Sequence, residues 1–185
     1  MNETKRRRLI ELINRDAVKR GDFVLASGAR SRFYIDGKQV TLSAEGLALI
    51  ADLILEAVAA DAADAVGGPT LGADPIAGAV AAASFAAGRP LAAFLVRKTL
   101  KDHGTQRWVE GPLRPGSRVV LVEDVVTTGG SMLACLDKLA ELQCRVVRAV
   151  VLVDRKAGAA EAFAAAGIPL TALCTLDELD VPRSE

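Results

Sequence analysis

The sequence predicts an α/β protein: a doubly wound, mainly parallel sheet flanked by helices, with a small amino-terminal helix and β subregion. Three observations carry that expectation. Residues 119–122 (VVLV) and 149–153 (AVVLV) are unbroken apolar runs, as strands are when helices cover both faces of a parallel sheet. From residue 64 onward such runs alternate with segments of helical periodicity. A chain of 185 residues, 51% of them hydrophobic, is long enough to bury one substantial core.

The elements follow in order. Leu9, Ile10, Leu12, Ile13, Ala17 and Val18 recur at helical spacing, and Gly21 is expected to end that opening helix. Its Lys5-Arg6-Arg7-Arg8 run reads as a solvated face. Residues 23–25 and 32–35 are β-prone pieces around the turn SGARS, and 38–42 extend them. Ser43 is expected to cap a helix reaching about residue 60, with Leu47, Ile50, Leu53, Ile54, Ala57 and Val58 facing inward. Strands are then predicted at 64–68, 91–97, 118–122, 146–153 and 170–174, and helices at 75–87, 131–142 and 159–166. The many alanines fall at helical positions and indicate close helix–sheet packing, not low complexity. With no repeat and no linker, residues 1–185 read as one domain. Segment 99–117, TLKDHGTQRWVEGPLRPGS, has no clear period and holds the only histidine and the only tryptophan. A loop that long inside a compact domain points to function or mobility.

Composition excludes several classes. Lysine plus arginine and aspartate plus glutamate each number 23, so no bulk charge recommends a nucleic-acid or membrane partner, and any anion site must be local. Cys135, Cys144 and Cys174 are odd in number and set among apolar neighbours, which suits reduced thiols in a cytoplasmic protein. No metal-ligand spacing appears. The basic amino terminus lacks the apolar segment of a signal peptide, and no apolar run approaches a membrane span.

The most informative stretch is 119–133, VVLVEDVVTTGGSML. Glu123 and Asp124 are expected where the strand leaves the core, at the carboxyl end of a parallel sheet where ligands bind. The TTGGS that follows supplies backbone amides, hydroxyls and two glycines at a helix start, a chemistry suited to phosphate. An anion cradle beside two carboxylates makes sense for a ligand with a phosphate at one end and hydroxyls or a magnesium ion near the other, such as a phosphorylated ribose. From these residues alone an ordinary capped strand-to-helix turn stays open. So do solvated loop charges for Lys98 and Lys101, an incidental surface role for His103, and an Arg155–Asp154 pair. Cys135 reads as a core residue.

The same stretch resembles the phosphoribosyl-diphosphate signature of the type I phosphoribosyltransferases: a hydrophobic strand, two acids, a variable pair and a Thr/Gly/Ser loop. FVLASGARSRFYID at 23–36 and RKTLKDHGT at 97–105 are similar to the amino-terminal and catalytic-loop motifs of the orotate phosphoribosyltransferases. The resemblance implies the type I fold, with an amino-terminal base-binding hood at about 1–42 over a core at about 43–185. It also implies transfer of a phosphoribosyl group from phosphoribosyl diphosphate to orotate, giving orotidine 5-monophosphate and pyrophosphate in pyrimidine synthesis. Mg2+ is implied as a cofactor held mainly by substrate, with no direct protein ligand, and a homodimer as the assembly, its catalytic loop shared across the interface.

By the same resemblance Arg97, Lys98, Lys101 and His103 match diphosphate-binding positions, and Lys101, His103 and Asp124 catalytic ones. Glu123, Asp124, Val125, Val126, Thr127, Thr128, Gly129, Gly130 and Ser131 match the ribose-phosphate motif; Thr127 and Arg155 match orotate positions. Breaking the bond from ribose C1 to pyrophosphate creates a cationic sugar and a highly charged leaving group, so positioned cations should carry catalysis. Orotate is already an anion and needs no strong base, whereas a fork such as that of Arg155 suits its carboxylate. Two departures stand out: residues 66–78 lack the lysine or aromatic residue some members carry in the pyrophosphate loop, and Ala26 replaces a lysine of some relatives. A phosphoribosyltransferase for a purine or uracil, and a non-catalytic regulator that senses phosphoribosyl diphosphate, are the alternatives. The intact RKTLKDHG loop favours catalysis, and the balanced charge offers a regulator no nucleic-acid surface.

Overall fold

In the computed structural model, which describes residues 1–24, 30–99 and 107–181, the chain opens with α1 (Glu3–Leu12). The Asn2 side chain accepts the Lys5 N–H at 3.1 Å and so satisfies one amide of the first turn. Leu9, Leu12 and Ile13 are buried beneath it. The helix ends earlier than its apolar pattern suggests. A single π-turn, Ile13–Ala17, leads directly into β1 (Val18–Val24), so Val18 begins a strand. Gly21 does not stop a helix but lies inside β1, where the register to the next strand shifts between Arg20 and Phe23. An isolated glycine marks such bulges because the bent backbone there disfavours a side chain.

β1 pairs antiparallel with β2 (Arg30–Ile35), from Val18 opposite Ile35 to Val24 opposite Arg30. Residues 38–42 do not extend this ribbon. They form the short helix α2 (Lys38–Thr41), closed by the Thr41 N–H donating to the Gly37 carbonyl at 2.9 Å. Ser43 then caps α3 (Ala44–Ala57), its hydroxyl accepting the Gly46 N–H at 3.1 Å.

The main sheet takes the order β5-β4-β3-β6-β7-β8, with β3 at Ala65–Pro69, β4 at Ala92–Val96, β5 at Val109–Glu110, β6 at Arg118–Val126, β7 at Arg145–Asp154 and β8 at Leu170–Thr175. All neighbours are parallel except the edge pair β4–β5. Helices α4 (Ala73–Ala86), α5 (Gly130–Leu133), α6 (Cys135–Glu141) and α7 (Ala159–Ala165) complete the connections. One predicted helix, 131–142, is two, broken at Ala134. β5 lies within the stretch that shows no period, where two residues are too few to display one.

Side chains alternate across β6. Val120 and Val122 join Ile50, Leu53, Ile54 and Val80 on one face, while Val119 and Leu121 join Phe94, Met132, Leu139 and Phe163 on the other. Both faces are covered, which is why the sequence there is uniformly apolar. β3 contributes little side-chain bulk. A Cβ on Gly67 would run into the Phe94 carbonyl, and one on Gly68 into the Val122 carbonyl, so the paired glycines let β4 and β6 close against it. Strand order reverses between β3 and β6: the chain passes from β3 outward to β4 on one side and resumes at β6 on the other. Loops from the carboxyl ends of β3 and β6 therefore diverge and leave a crevice. Among the described residues, no helix is long and apolar enough to cross a membrane.

Candidate active site

The crevice is floored by two carboxylates. β6 runs on to Val126, four residues past an end at 122, so Glu123 and Asp124 sit within the strand. Backbone pairing of Glu123 with Val151 and of Val125 with Val153 holds this extension in the sheet. Both acids border the loop after β3, where a Cβ on Gly72 would come within 3.4 Å of Glu123 Cγ as well as against Asp124. Glu123 is 9% exposed, and its Oε2 accepts the Ser131 hydroxyl at 2.7 Å. Burial pushes its carboxyl up to about 7; the Ser131 bond opposes that rise, nearby Asp124 adds to it, and Lys98 opposes it.

Asp124 is half-buried, and its Oδ1 accepts the Val125 N–H at 2.9 Å. Two glycines flank it. A Cβ on Gly72 would lie 2.5 Å from Oδ1, and one on Gly37 would lie 2.9 Å from Oδ2. The carboxylate is therefore wedged between the loop after β3 and the entrance to α2, and side-chain bulk at either glycine would displace it. Lys38, the first residue of α2, pairs with Asp36 at 3.1 Å, and the field of Asp124 reinforces the rise in its pKa that the Asp36 bond mainly causes. The sequence reading missed Gly37, Gly72 and Lys38, because contact with Asp124 arises only on folding. The one local signal was a glycine and a lysine directly after the YID motif.

Past β6, Thr127, Thr128 and Gly130 are exposed, whereas Gly129 is buried with φ +82°. A Cβ on Gly129 would approach the Phe163 ring to 3.0 Å, so both backbone conformation and packing favour glycine there. Ser131 reaches back to Glu123, tying the loop to the strand. Val126 is buried in the core on one side of the sheet and Val125 packs against the core on the other, so their side chains serve structure. The Val126 carbonyl accepts the Arg155 N–H at 3.0 Å, which sets the end of β7 beside the loop. The Arg155 guanidinium stands 5.6 Å from the Phe33 ring centroid. It does not pair with Asp154, which is buried and accepts the Lys156 N–H at 2.8 Å.

Arg97 follows β4, and its Nε donates to Glu110 Oε1 at 2.8 Å on the antiparallel edge strand. Lys98 is exposed and close enough to Glu123 to oppose the rise in its pKa. Lys101, His103 and Ala26 lie outside the described residues. Residues 66–78 contribute β3 and the start of α4; the Thr70 N–H donates to the Val96 carbonyl at 3.0 Å, joining this loop to the base of the 97–107 segment. Burial pushes the thiols of Cys135 and Cys174 up to about 12, which removes both as nucleophiles at neutral pH. No group of three potential metal ligands occurs among the described residues.

Comparison with known proteins bears on the same elements. The model of the phosphoribosyl transferase domain matches residues 37–164, from the glycine against Asp124 to α7. An orotate phosphoribosyltransferase of Sorangium cellulosum is 48% identical over 175 residues, covering 93% of this chain and 91% of its own length. One of Thermosynechococcus vestitus is 48% identical, covering 95% and 93%. The crystal structure of Mycobacterium tuberculosis orotate phosphoribosyltransferase in complex with 5-phospho-α-D-ribosyl 1-diphosphate superposes with a TM-score of 0.82 at 38% identity, covering 96% of this chain and 99% of that one. Strand order, the acid pair in β6 and the loop beyond it thus occur in a chain that belongs to the phosphoribosyltransferase family, in its orotate phosphoribosyltransferase branch.

Proposed function

We propose that this protein transfers the 5-phosphoribosyl group from phosphoribosyl diphosphate to orotate, releasing pyrophosphate and forming orotidine 5-monophosphate in the cytoplasm. The observation that carries the reading is the junction of β6 and β7. There a two-acid strand end and a Thr/Gly/Ser loop lie beside Arg155, a cation with no ion-pair partner among the described residues. Asp124 and Glu123 accept hydrogen bonds from the ribose hydroxyls, and residues Thr127 to Ser131 receive the 5-phosphate through backbone amides and hydroxyls. Arg155 holds the orotate carboxylate beside Thr127, with Phe33 packed against its guanidinium. Residues of about 1–42, the β1–β2 ribbon included, form the hood over the base, and about 43–185 the core.

As the bond from ribose C1 to the diphosphate breaks, negative charge grows on the leaving group. Arg97, Lys98, Lys101 and His103 are the cations assigned to it, worth most in a site that excludes water. The residues present suit magnesium carried in by the substrate: two adjacent carboxylates border the crevice, but no three-ligand cage is built from protein alone among the described residues. When bound, Mg2+ neutralises part of the diphosphate charge. The working unit is a homodimer in which the segment bearing Lys101 serves the neighbouring site. Gly78, Ala82 and Phe85 lie at helical spacing and are exposed along α4, next to exposed Leu71, an apolar face suited to a second copy.

The test is to incubate pure protein with phosphoribosyl diphosphate, Mg2+ and orotate, and to quantify both products. Equal amounts of orotidine 5-monophosphate and pyrophosphate support the reading. Absence of the nucleotide at saturating substrate refutes it.

A further inference from the structure

Lys138 lies on α6, away from the acid pair, and none of the functions assigned so far uses it. Its neighbours on the helix, Cys135 and Leu139, are buried against the sheet, but Lys138 is half-buried and turned toward the β4–β5 edge. Its Nζ donates to the Arg97 carbonyl at 2.9 Å and stands 4.0 Å from the centroid of the Trp108 ring. Arg97 and Trp108 also meet directly, the Arg97 N–H donating to the Trp108 carbonyl at 2.8 Å. One ammonium thus touches both residues where the chain segment carrying Lys98, Lys101 and His103 leaves the sheet and returns to it.

A lysine is costly to withdraw from water unless its charge is compensated. Here a carbonyl oxygen and the negative face of an indole provide that compensation, and both belong to the same pair of chain ends. A purely structural contact at this edge needs no charge: a methionine or leucine would cover Trp108 equally well. The fit of a donor to the Arg97 carbonyl fixes the backbone of the residue that presents Arg97 and Lys98. α6 follows α5 and the Thr127–Ser131 loop, so it is tied through α5 to the phosphate loop and through Lys138 to the base of the cationic segment.

We infer that Lys138 is a positioning residue for diphosphate binding, locking Arg97 and Trp108 together so that the cations from Arg97 onward are presented from a fixed base. This rests on the phosphoribosyl-transfer reading above. Lys138 touches no substrate atom and acts through Arg97. The charge and the donor matter, so arginine should replace it and methionine should not.

The experiment compares wild type, Lys138→Met and Lys138→Arg. Calorimetric titration with pyrophosphate and Mg2+ should show about a tenfold loss of affinity in Lys138→Met and less than about threefold in Lys138→Arg. In turnover, kcat/KM for phosphoribosyl diphosphate should fall by the same factor, while KM for orotate stays within about twofold. Trp108 is the only tryptophan, so its emission reports the contact directly and should shift in Lys138→Met alone. Equal pyrophosphate affinity in wild type and Lys138→Met overturns the inference, as does an arginine variant no better than the methionine one. If wild type forms no nucleotide from orotate, the substrate assignment fails, and the pyrophosphate titration still decides the role of Lys138.

Discussion

Replacing Glu123 by glutamine should stabilise the protein at alkaline pH. The carboxyl lies in the sheet at 9% exposure, and burial raises it from the usual 4.5 to about 7. Between those two values the native state keeps a proton that the unfolded chain has released, so stability falls as pH rises and the loss is complete above pH 7. A gap of that size corresponds to about 3 kcal/mol, of which about 2.5 kcal/mol is lost between pH 5 and pH 8. Glutamine has the same shape, still accepts the Ser131 hydroxyl and carries no charge to desolvate. Urea denaturation of wild type and Glu123→Gln at pH 5 and pH 8 isolates this contribution, because every other titrating group is common to both. The variant should gain about 2 to 3 kcal/mol on wild type at pH 8 relative to its standing at pH 5. Parallel stability curves would show that the buried carboxyl ionises without penalty and would refute the argument. The same buried acid is a ribose-hydroxyl acceptor in the proposed site, so the gain should come with weaker substrate binding.

Four other predictions follow from the site. Asp124→Asn should weaken phosphoribosyl-diphosphate binding by about 1.5 to 3 kcal/mol in a titration while the melting temperature stays close to wild type; unchanged affinity removes Asp124 from the site. Gly72→Ala places a Cβ 2.5 Å from Asp124 Oδ1 and should raise KM for phosphoribosyl diphosphate about tenfold, whereas an unaltered KM would mean that the carboxylate is not held there. Arg155→Ala should raise KM for orotate at least about tenfold with KM for phosphoribosyl diphosphate within about twofold, and equal effects would indicate a general structural role. Lys101→Ala and Asp124→Ala, each inactive alone, should regain roughly a quarter of wild-type sites when unfolded and refolded together, and no recovery would place Lys101 in its own subunit's site.

The parts of the fold that were legible are those in which one physical demand governs a continuous stretch. Val119 to Val122 and Val150 to Val153 had to be apolar throughout because both faces of the sheet are covered, and the Ser43 cap is a local hydrogen bond. Gly21 was ambiguous because the same residue serves a helix end and a bulge, and only pairing with β2 decides. Residues 38–42 carry a β-like composition but close their hydrogen bonds locally as α2. The acids deceived in depth: charge at 123 and 124 reads as the end of a strand, yet pairing with β7 carries β6 past them. Within the site, Glu123, Asp124 and the TTGGS loop are contiguous and could be read together. The Gly37 and Gly72 clamp and the Lys138 contact with Arg97 and Trp108 join segments distant in sequence, and no local pattern announces them.

The central claim, phosphoribosyl transfer to orotate at the β6–β7 junction, is tested most directly by competition in one vessel. Wild-type protein and Arg155→Ala are each given phosphoribosyl diphosphate, Mg2+ and equal amounts of orotate, uracil, adenine and hypoxanthine, and the nucleotides formed are identified by mass. The account predicts orotidine 5-monophosphate as the dominant product of wild type and its selective loss in the variant. A wild-type product from uracil or a purine in place of the orotate nucleotide would contradict it.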